Sequence, residues 1–352
     1  MDVLAGIRAI AKENLREDVW HYLSEGEGTG HEQAFADFRL VPRPLRDLGA
    51  GHTRRTLVGQ SLDHPIILAP VAYQRLFHRD GEAGSAIAAS AQGGQAVIST
   101  LASQSFSEIF EAARQGGGHA PWFQLYWQGG RDKTLRLLER AQAAGFSTLV
   151  FTVDAPIKRA SLRLPSEIAA VNLEPDAAHE TTPTRAFDGF LAQAPTWTDL
   201  SWLRQRCQGA LLIKGLMHPD DAQRAVEAGC DGVIVSSHGG RVLPGCATSL
   251  KALPAITRRL KARPGNKPLI LLDSGIRSGR DIFIALALGA SAVLLGRPYL
   301  WGLAMDGAMG VARVIRLLRD ELEMTMALTG CASLDAIGPH CLAEGGSARL
   351  PS

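Results

Sequence analysis

One turn of this sequence sets a proton acceptor three residues before an anion clamp: Ser236-Ser237-His238-Gly239-Gly240-Arg241. An imidazole held among small residues can take a proton near neutral pH. A guanidinium forks onto a carboxylate with two parallel hydrogen bonds. Asp154 could orient such an imidazole and stabilise its protonated form, as the acid of a catalytic triad does. Lys214 is a cation suited to negative charge that develops on a bound ring. Two later turns, Asp273-Ser274-Gly275-Ile276-Arg277 and Gly296-Arg297-Pro298, each set a glycine close to an arginine. Glycine admits backbone N–H groups to an anion and arginine grips its oxygens, so together the turns predict a phosphate site. Either turn alone reads as well as a simple strand-to-helix corner, and each charged residue alone as a surface or ion-paired one. The combination points to chemistry.

Something must bring these residues to one face. From about residue 65, short apolar runs alternate with helical stretches rich in Ala, Leu, Arg and Glu. Strands are expected at 66–69, 96–98, 122–125, 148–152, 211–213, 232–235, 269–272 and 292–295, with helices between them such as 82–92, 132–144, 219–228 and 279–288. Parallel neighbours need crossovers, and an unbroken series of this kind favours an α/β fold closed as a (β/α)8 TIM barrel over an open doubly wound sheet. Ala144-Gly145, Ala228-Gly229 and Gly289-Ala290 sit where helices should stop. Leu4, Ile7, Ala11, Leu15 and Val19 recur at helical spacing, so residues 1–64 read as a helical extension, its first helix running to about Gly26. Residues 155–198 break the rhythm after the fourth strand and form an expected lid or loop on the active face, or else a disordered insertion. In such barrels the C-terminal strand ends face the site. Those positions here are Pro70-Val71-Ala72-Tyr73, Ser99-Thr100, Gln124 and Tyr126, Thr152 and Asp154, Lys214, Ser236 to Arg241, Asp273 to Arg277, and Gly296-Arg297.

Composition narrows the function. The chain has 352 residues, expected to form a single domain, 46% hydrophobic and 20% charged, with a formal net charge of +2. No basic stripe interleaved with aromatics suggests nucleic acid as a partner. Cys207, Cys230, Cys246, Cys331 and Cys341 are scattered, without metal-type spacing, which predicts a reducing compartment and no bound metal. The first residues lack a signal-peptide pattern, and no apolar run is long enough to span a bilayer. Ser347-Ala348-Arg349-Leu350 is similar to a peroxisomal address, but Pro351-Ser352 follow it. A cytoplasmic protein is expected.

Taken in order, Phe123-Gln124-Leu125-Tyr126, Lys214-Gly215, the Ser-His-Gly-Gly-Arg turn ending at Arg241, Asp273-Ser274-Gly275 and Gly296-Arg297-Pro298 resemble the FMN-dependent 2-hydroxy acid oxidase and dehydrogenase family, which includes glycolate oxidase, lactate oxidase and mandelate-oxidising enzymes. The resemblance runs from Tyr22 to Gly330. It implies that His238 is the active-site base, paired with Asp154. Arg241, Tyr22 and Tyr126 would hold the substrate carboxylate, and Lys214 would steady the reduced flavin. Pro70, Val71, Ala72, Ser99, Gln124, Thr152 and Ser236 would surround the flavin ring. Asp273, Ser274, Gly275, Arg277, Gly296 and Arg297 would take its ribityl and phosphate parts. The cofactor would supply the redox step, and the protein orientation and charge. The family also implies a homo-oligomer, a tetramer or octamer, with oxygen or a quinone as electron acceptor.

The chain departs from the family pattern in places. An active-site arginine is expected seven residues beyond the aspartate, where Ser161 stands, with Arg159 and Arg163 nearby. Pro244 replaces an aspartate that often follows the clamp, Leu101 stands for a tryptophan common in glycolate oxidases, and Val71 removes a hydroxyl near the flavin. These changes leave base and clamp intact and predict a bulkier or more apolar substrate side chain than that of glycolate. Ala72 beside the flavin leans toward an oxidase. The loop at 155–198 has no strongly apolar or basic block of the kind that anchors mandelate dehydrogenases to membranes, and no haem domain is expected ahead of the barrel. Two other readings are an FMN-dependent isomerase, which needs no carboxylate clamp, and a flavin-binding protein that has lost catalysis, for which the change at Ser161 is the only support.

Overall fold

In the computed structural model, residues 3–155, 164–174, 190–265 and 267–343 are described. Eight parallel strands close into a barrel: β3 (Ile66–Leu68), β4 (Gln95–Ser99), β5 (Trp122–Tyr126), β6 (Thr148–Thr152), β7 (Ala210–Leu216), β8 (Gly232–Val235), β9 (Leu269–Asp273) and β10 (Ala292–Leu295), with β10 pairing back onto β3. Helices cover the outside: α4 (Gly81–Ala91), α5 (Phe106–Gln115), α6 (Arg131–Ala143), α7 (Trp197–Arg204), α8 (Pro219–Glu227), α9 (Ser249–Lys261), α10 (Gly279–Ala287) and α11 (Arg297–Thr329). The open-sheet alternative is excluded by that closure. Each expected strand is present, within a few residues of its expected ends.

Side-chain alternation on each strand builds two apolar layers. Inward-pointing Ile67, Val97, Val150, Leu212, Ile234, Leu271 and Leu294 fill the barrel, while Ile66, Ile98, Leu149, Phe151, Val233 and Leu272 pack outward under the helices. Full burial of such a side chain is worth about 1.5–3 kcal/mol, so a strand with both faces buried is predominantly apolar. This is why these runs show no polar alternation. Glycines at +107°, +94° and +107° in φ (Gly145, Gly229 and Gly289) end α6, α8 and α10, as the Ala-Gly pairs predict.

The extension departs from expectation in two ways. The single first helix is in fact two, α1 (Val3–Asn14) and α2 (Glu17–Ser24), because Arg16 is extended (φ −58°, ψ 148°) and binds the Asp18 carboxylate through its guanidinium. The apolar spacing carries across this break, with Leu4, Ile7 and Ala11 buried on one helix and Val19, Trp20 and Leu23 on the other. A short α3 (Gln33–Ala36) follows. Next comes an unanticipated antiparallel hairpin, β1 (Arg55–Leu57) and β2 (Gln60–Leu62). It turns at Val58 and Gly59, both at positive φ, and drives Leu57 and Leu62 into the base of the inner core. Gln60 accepts a hydrogen bond from Trp122 at the start of β5 (2.9 Å), which fixes the hairpin as a plug under the barrel.

The loop after β6 is described at 164–174 and from 190 onward. There it is packed rather than loose: Asn172 is buried, accepts from Phe106 N–H and donates to the Gln104 carbonyl, and Val171 N–H donates to Ala102. Ser161, Arg159 and Arg163 lie outside the described residues. Among the described residues no helix is long and apolar enough to cross a membrane, and no cluster of His, Cys, Asp or Glu could hold a metal ion.

Candidate active site at the C-terminal mouth of the barrel

The C-terminal strand ends surround a cavity of about 750 Å³. Its centre is the turn after β8. His238 (φ 56°) and Gly239 (φ 67°) are both left-handed, a conformation that turns the imidazole back over the barrel mouth. His238 N–H donates to the Ser236 hydroxyl (3.0 Å) and Gly239 N–H to the Ser274 hydroxyl (3.0 Å), so neighbouring strand ends hold the turn. His238 Nδ1 meets Asp154 Oδ1 at 2.8 Å, and Nε2 faces the Tyr126 hydroxyl at 3.3 Å. The Asp154 carboxyl is pushed up by burial, yet Lys214 and His238 outweigh this and hold it below the usual carboxylate range. An ionised Asp154 therefore accepts a hydrogen bond from Nδ1–H and leaves the Nε2 lone pair turned toward the cavity. Burial and the cation of Lys214 depress the imidazole pKa despite the pull of Asp154. The arrangement is a neutral base at ordinary pH. Gly215, at φ 107°, is required beside it, since a Cβ there would stand 2.5 Å from Asp154 Cβ.

Lys214 anchors the floor. Its ammonium contacts Asp273 Oδ2 at 3.0 Å and donates to Ser236 Oγ at 2.9 Å, and Ser236 in turn donates to Asp273 (2.7 Å). Burial lowers the lysine's pKa, but Asp273 and Asp154 outweigh it and keep the side chain cationic. On the β4–β5 side, Gln124 Oε1 accepts from Ser99 Oγ and Thr100 N–H, both at 3.2 Å, which fixes the amide orientation. That orientation leaves Gln124 Nε2 buried without a protein partner, and Thr152 Oγ1 is in the same state. Buried polar atoms are rarely left unpaired, so these two suit a planar ligand with polar edges.

At the opposite end, Gly275 must be glycine: it has φ 89°, and a Cβ would come 2.6 Å from the His31 carbonyl oxygen. A Cβ on Gly296 would meet nothing within 4 Å, so its backbone faces open space. Arg277 and Arg297 flank this end of the cavity. Arg277 pairs with Glu32 (2.7 Å), and Arg297 donates to the carbonyls of Leu23 (3.1 Å), Glu25 and Gly239 (3.0 Å). Burial and the neighbouring arginines pull Arg297 down to about 10. Crowded cations beside an exposed glycine backbone fit a phosphate.

The third wall is apolar, with one charged clamp. Arg241 lies 4.7 Å over the Tyr22 ring, donates to the Tyr22 carbonyl (2.8 Å) and pairs with Glu25 (2.9 Å). Pro70, Val71, Ala72 and Leu101 line the wall with Leu76, Phe77, Leu164 and Val242. Among the residues expected from sequence, Tyr22, Ser99, Tyr126, Lys214, His238, Asp273 and Ser274 also border the cavity, whereas Asp154, Gln124 and Ser236 bond to the lining residues His238, Ser99 and Lys214, and Thr152 pairs with Lys214 across the sheet. Sequence reading missed Glu25 and His31. His31 Nε2 contacts Ser237 Oγ, and Thr29 Oγ1 contacts its Nδ1 (2.9 Å), so it braces the turn from below. Neither lies at a strand end, which was the signal followed.

Known proteins share this sequence and this fold. A family model described as FMN-dependent dehydrogenase matches residues 11–344. The L-lactate oxidase of Alicycliphilus denitrificans is 45% identical over 325 residues, covering 88% of this chain and 87% of that protein. The 4-hydroxymandelate oxidase of Amycolatopsis orientalis is 39% identical, covering 95% of this chain and 96% of that one. A solved structure of mandelate oxidase with (S)-4-hydroxymandelic acid matches with a TM-score of 0.85 at 37% identity, covering 97% of this chain and 98% of that one. The unpartnered amide of Gln124, the open backbone at Gly296 and the arginines beside it fit the cofactor that the family uses. The chain thus belongs to the FMN-dependent dehydrogenase family and is a flavin enzyme of the 2-hydroxy acid oxidase group, an oxidoreductase acting on CH–OH.

Proposed function

We propose that this enzyme oxidises an L-2-hydroxy monocarboxylic acid with an apolar side chain to the 2-oxo acid, and that oxygen is its electron acceptor. The observation that carries the reading is the Asp154–His238–Tyr126 row, 2.8 and 3.3 Å between partners, beside Arg241 on the wall of one cavity. FMN, when bound, would supply the oxidant, accepting the α-hydrogen together with the two electrons of its C–H bond. In this reading Pro70, Val71, Ala72, Ser99, Gln124, Thr152 and Ser236 hold its ring. Asp273, Ser274, Gly275, Arg277, Gly296 and Arg297 hold its ribityl and phosphate parts. Lys214, kept cationic within its buried network, steadies negative charge at the cavity floor.

His238 Nε2 takes the proton from the substrate hydroxyl, and Asp154 stabilises the imidazolium that results. Arg241 and the hydroxyls of Tyr22 and Tyr126 orient the carboxylate. Burial raises the pKa of both phenols, so each remains a hydrogen-bond donor across the working pH range. Leu101, Leu76, Phe77, Leu164 and Val242 give the side-chain end an apolar wall, which supports substrates larger than glycolate. The names of the relatives, lactate and hydroxymandelate oxidases, point to the same class. A single catalytic domain, a cytoplasmic location and a homo-oligomer of four or eight chains belong to the same reading, and light scattering tests the last.

Anaerobic mixing of the holoenzyme with glycolate, L-lactate, L-mandelate and L-2-hydroxyisocaproate tests the activity. The expected result is bleaching of the flavin band by the larger acids and recolouring when oxygen is admitted. No bleaching by any of them would overturn the reading. Recolouring with a quinone but not with oxygen would make the enzyme a quinone-linked dehydrogenase.

A further inference from the structure

The end of α2 supplies the clamp with an anion of its own. Glu25 borders the cavity, and its carboxylate stands 2.9 Å from Arg241 Nη2, in the position a substrate carboxylate would take against a guanidinium. The backbone beside it is not free to drift. Gly26 has φ 80°, and a Cβ there would come 2.6 Å from the Gly239 carbonyl oxygen, so the tail of α2 is pressed against the His238 turn. The carbonyls of Tyr22 and Leu23 also point at arginines, Arg241 and Arg297 respectively. The negative end of a short helix is thus aimed at the cations of the site. The Glu25 side chain remains 43% exposed, so it can leave Arg241 without moving the backbone.

We infer that Glu25 is a built-in competitor for the substrate carboxylate: it occupies Arg241 at rest and must be displaced when substrate binds, which sets the affinity of the site for carboxylates. This rests on the proposed role of Arg241 as the carboxylate clamp. Substrate and Glu25 are like charges sharing one guanidinium. Each molecule of substrate bound therefore costs the loss of an existing ion pair and places a second carboxylate beside the first. Removing the charge of Glu25 while keeping its shape should make the clamp more available. The expected gain is about three- to fivefold in affinity, the scale of a partly exposed ion pair.

The test is a titration of the flavin absorbance of the holoenzyme with pyruvate, a 2-oxo monocarboxylate, and with pyruvamide, its uncharged counterpart. It uses the parent, Glu25→Gln, Arg241→Met and the double variant. Glu25→Gln should bind pyruvate more tightly by that factor, leave pyruvamide unchanged, and lower the apparent KM for whichever 2-hydroxy acid bleaches the flavin. In the Arg241→Met background the same substitution should give no gain. Unchanged or weaker pyruvate binding by Glu25→Gln would overturn the inference, as would an equal gain for pyruvamide, which would mark a steric effect. If Arg241→Met fails to weaken pyruvate binding, the clamp assignment itself falls, and the two failures are thereby told apart.

Discussion

The floor and the mouth of the cavity are built on opposite principles. At the floor, Lys214, Ser236 and Asp273 form a closed network whose charged side chains are 4% and 11% exposed. At the mouth, Arg241 and Glu25 are 22% and 43% exposed, and the pair joins a barrel loop to the N-terminal extension. Charges sealed from water interact strongly and are costly to leave unpaired, whereas exposed pairs exchange partners at little cost. The floor therefore suits a group that stays, and the mouth one that comes and goes. His238 links the two, with Asp154 on one ring nitrogen and Tyr126 near the other.

The link is where a substitution should do most. His238→Ala should slow flavin reduction by about 10²–10⁴-fold, measured by anaerobic stopped flow, while the protein stays yellow. Loss of the flavin would instead place His238 among the groups that hold the cofactor. The next effect separates floor from mouth directly. Lys214→Met leaves Asp273 buried without its cation and should destabilise the fold by about 3–5 kcal/mol, against about 0–1 kcal/mol for Arg241→Met. Denaturant unfolding of both variants checks the contrast, and equal losses would erase it.

The smallest effect is a shift in pH dependence. A base must be neutral to act, and the depressed pKa of His238 keeps it neutral below the ordinary 6.5. The acid limb of flavin reduction should therefore lie under that value. Asp154 pulls the imidazole pKa upward, so Asp154→Asn should move the limb still lower while reducing the plateau; a limb that moves up would refute the pairing. The same depression has a cost in stability. Below pH 6.5 the unfolded chain takes up the histidine proton more readily than the folded one, so stability falls as pH drops through that range.

Strand ends were legible because barrel strands are apolar on both faces, so any polar residue at their C-terminal edge stands out against a uniform run. Gln124, Thr152, Lys214 and Asp273 stand out in this way; all are buried, and Lys214 and Asp273 line the cavity. The hairpin was hidden because it turns on Val58-Gly59, with none of the Asn-Gly or Asp-Gly signal that usually marks such a turn. The break at Arg16 was hidden because apolar spacing stayed in phase through it. Glu25 and His31 were missed for a different reason: their contacts span 216 and 206 residues, and no local pattern records what a loop will meet at that distance.

The extension that carries the hairpin and α2 touches both ends of the barrel, and this ties together parts of the chain that lie far apart in sequence. Leu23 meets Arg297 across 274 residues, and His52 N–H donates to the Ala332 carbonyl. Neither contact is local: each joins the extension to residues beyond the last barrel strand. Contacts so distant in sequence are slow to form, because a long loop must be ordered before they return anything. Base, clamp and anion-binding arginines all stand on the barrel, and the extension closes their cavity with Tyr22, Leu23 and Glu25. A loosened extension would therefore open the cavity while leaving base and clamp in place.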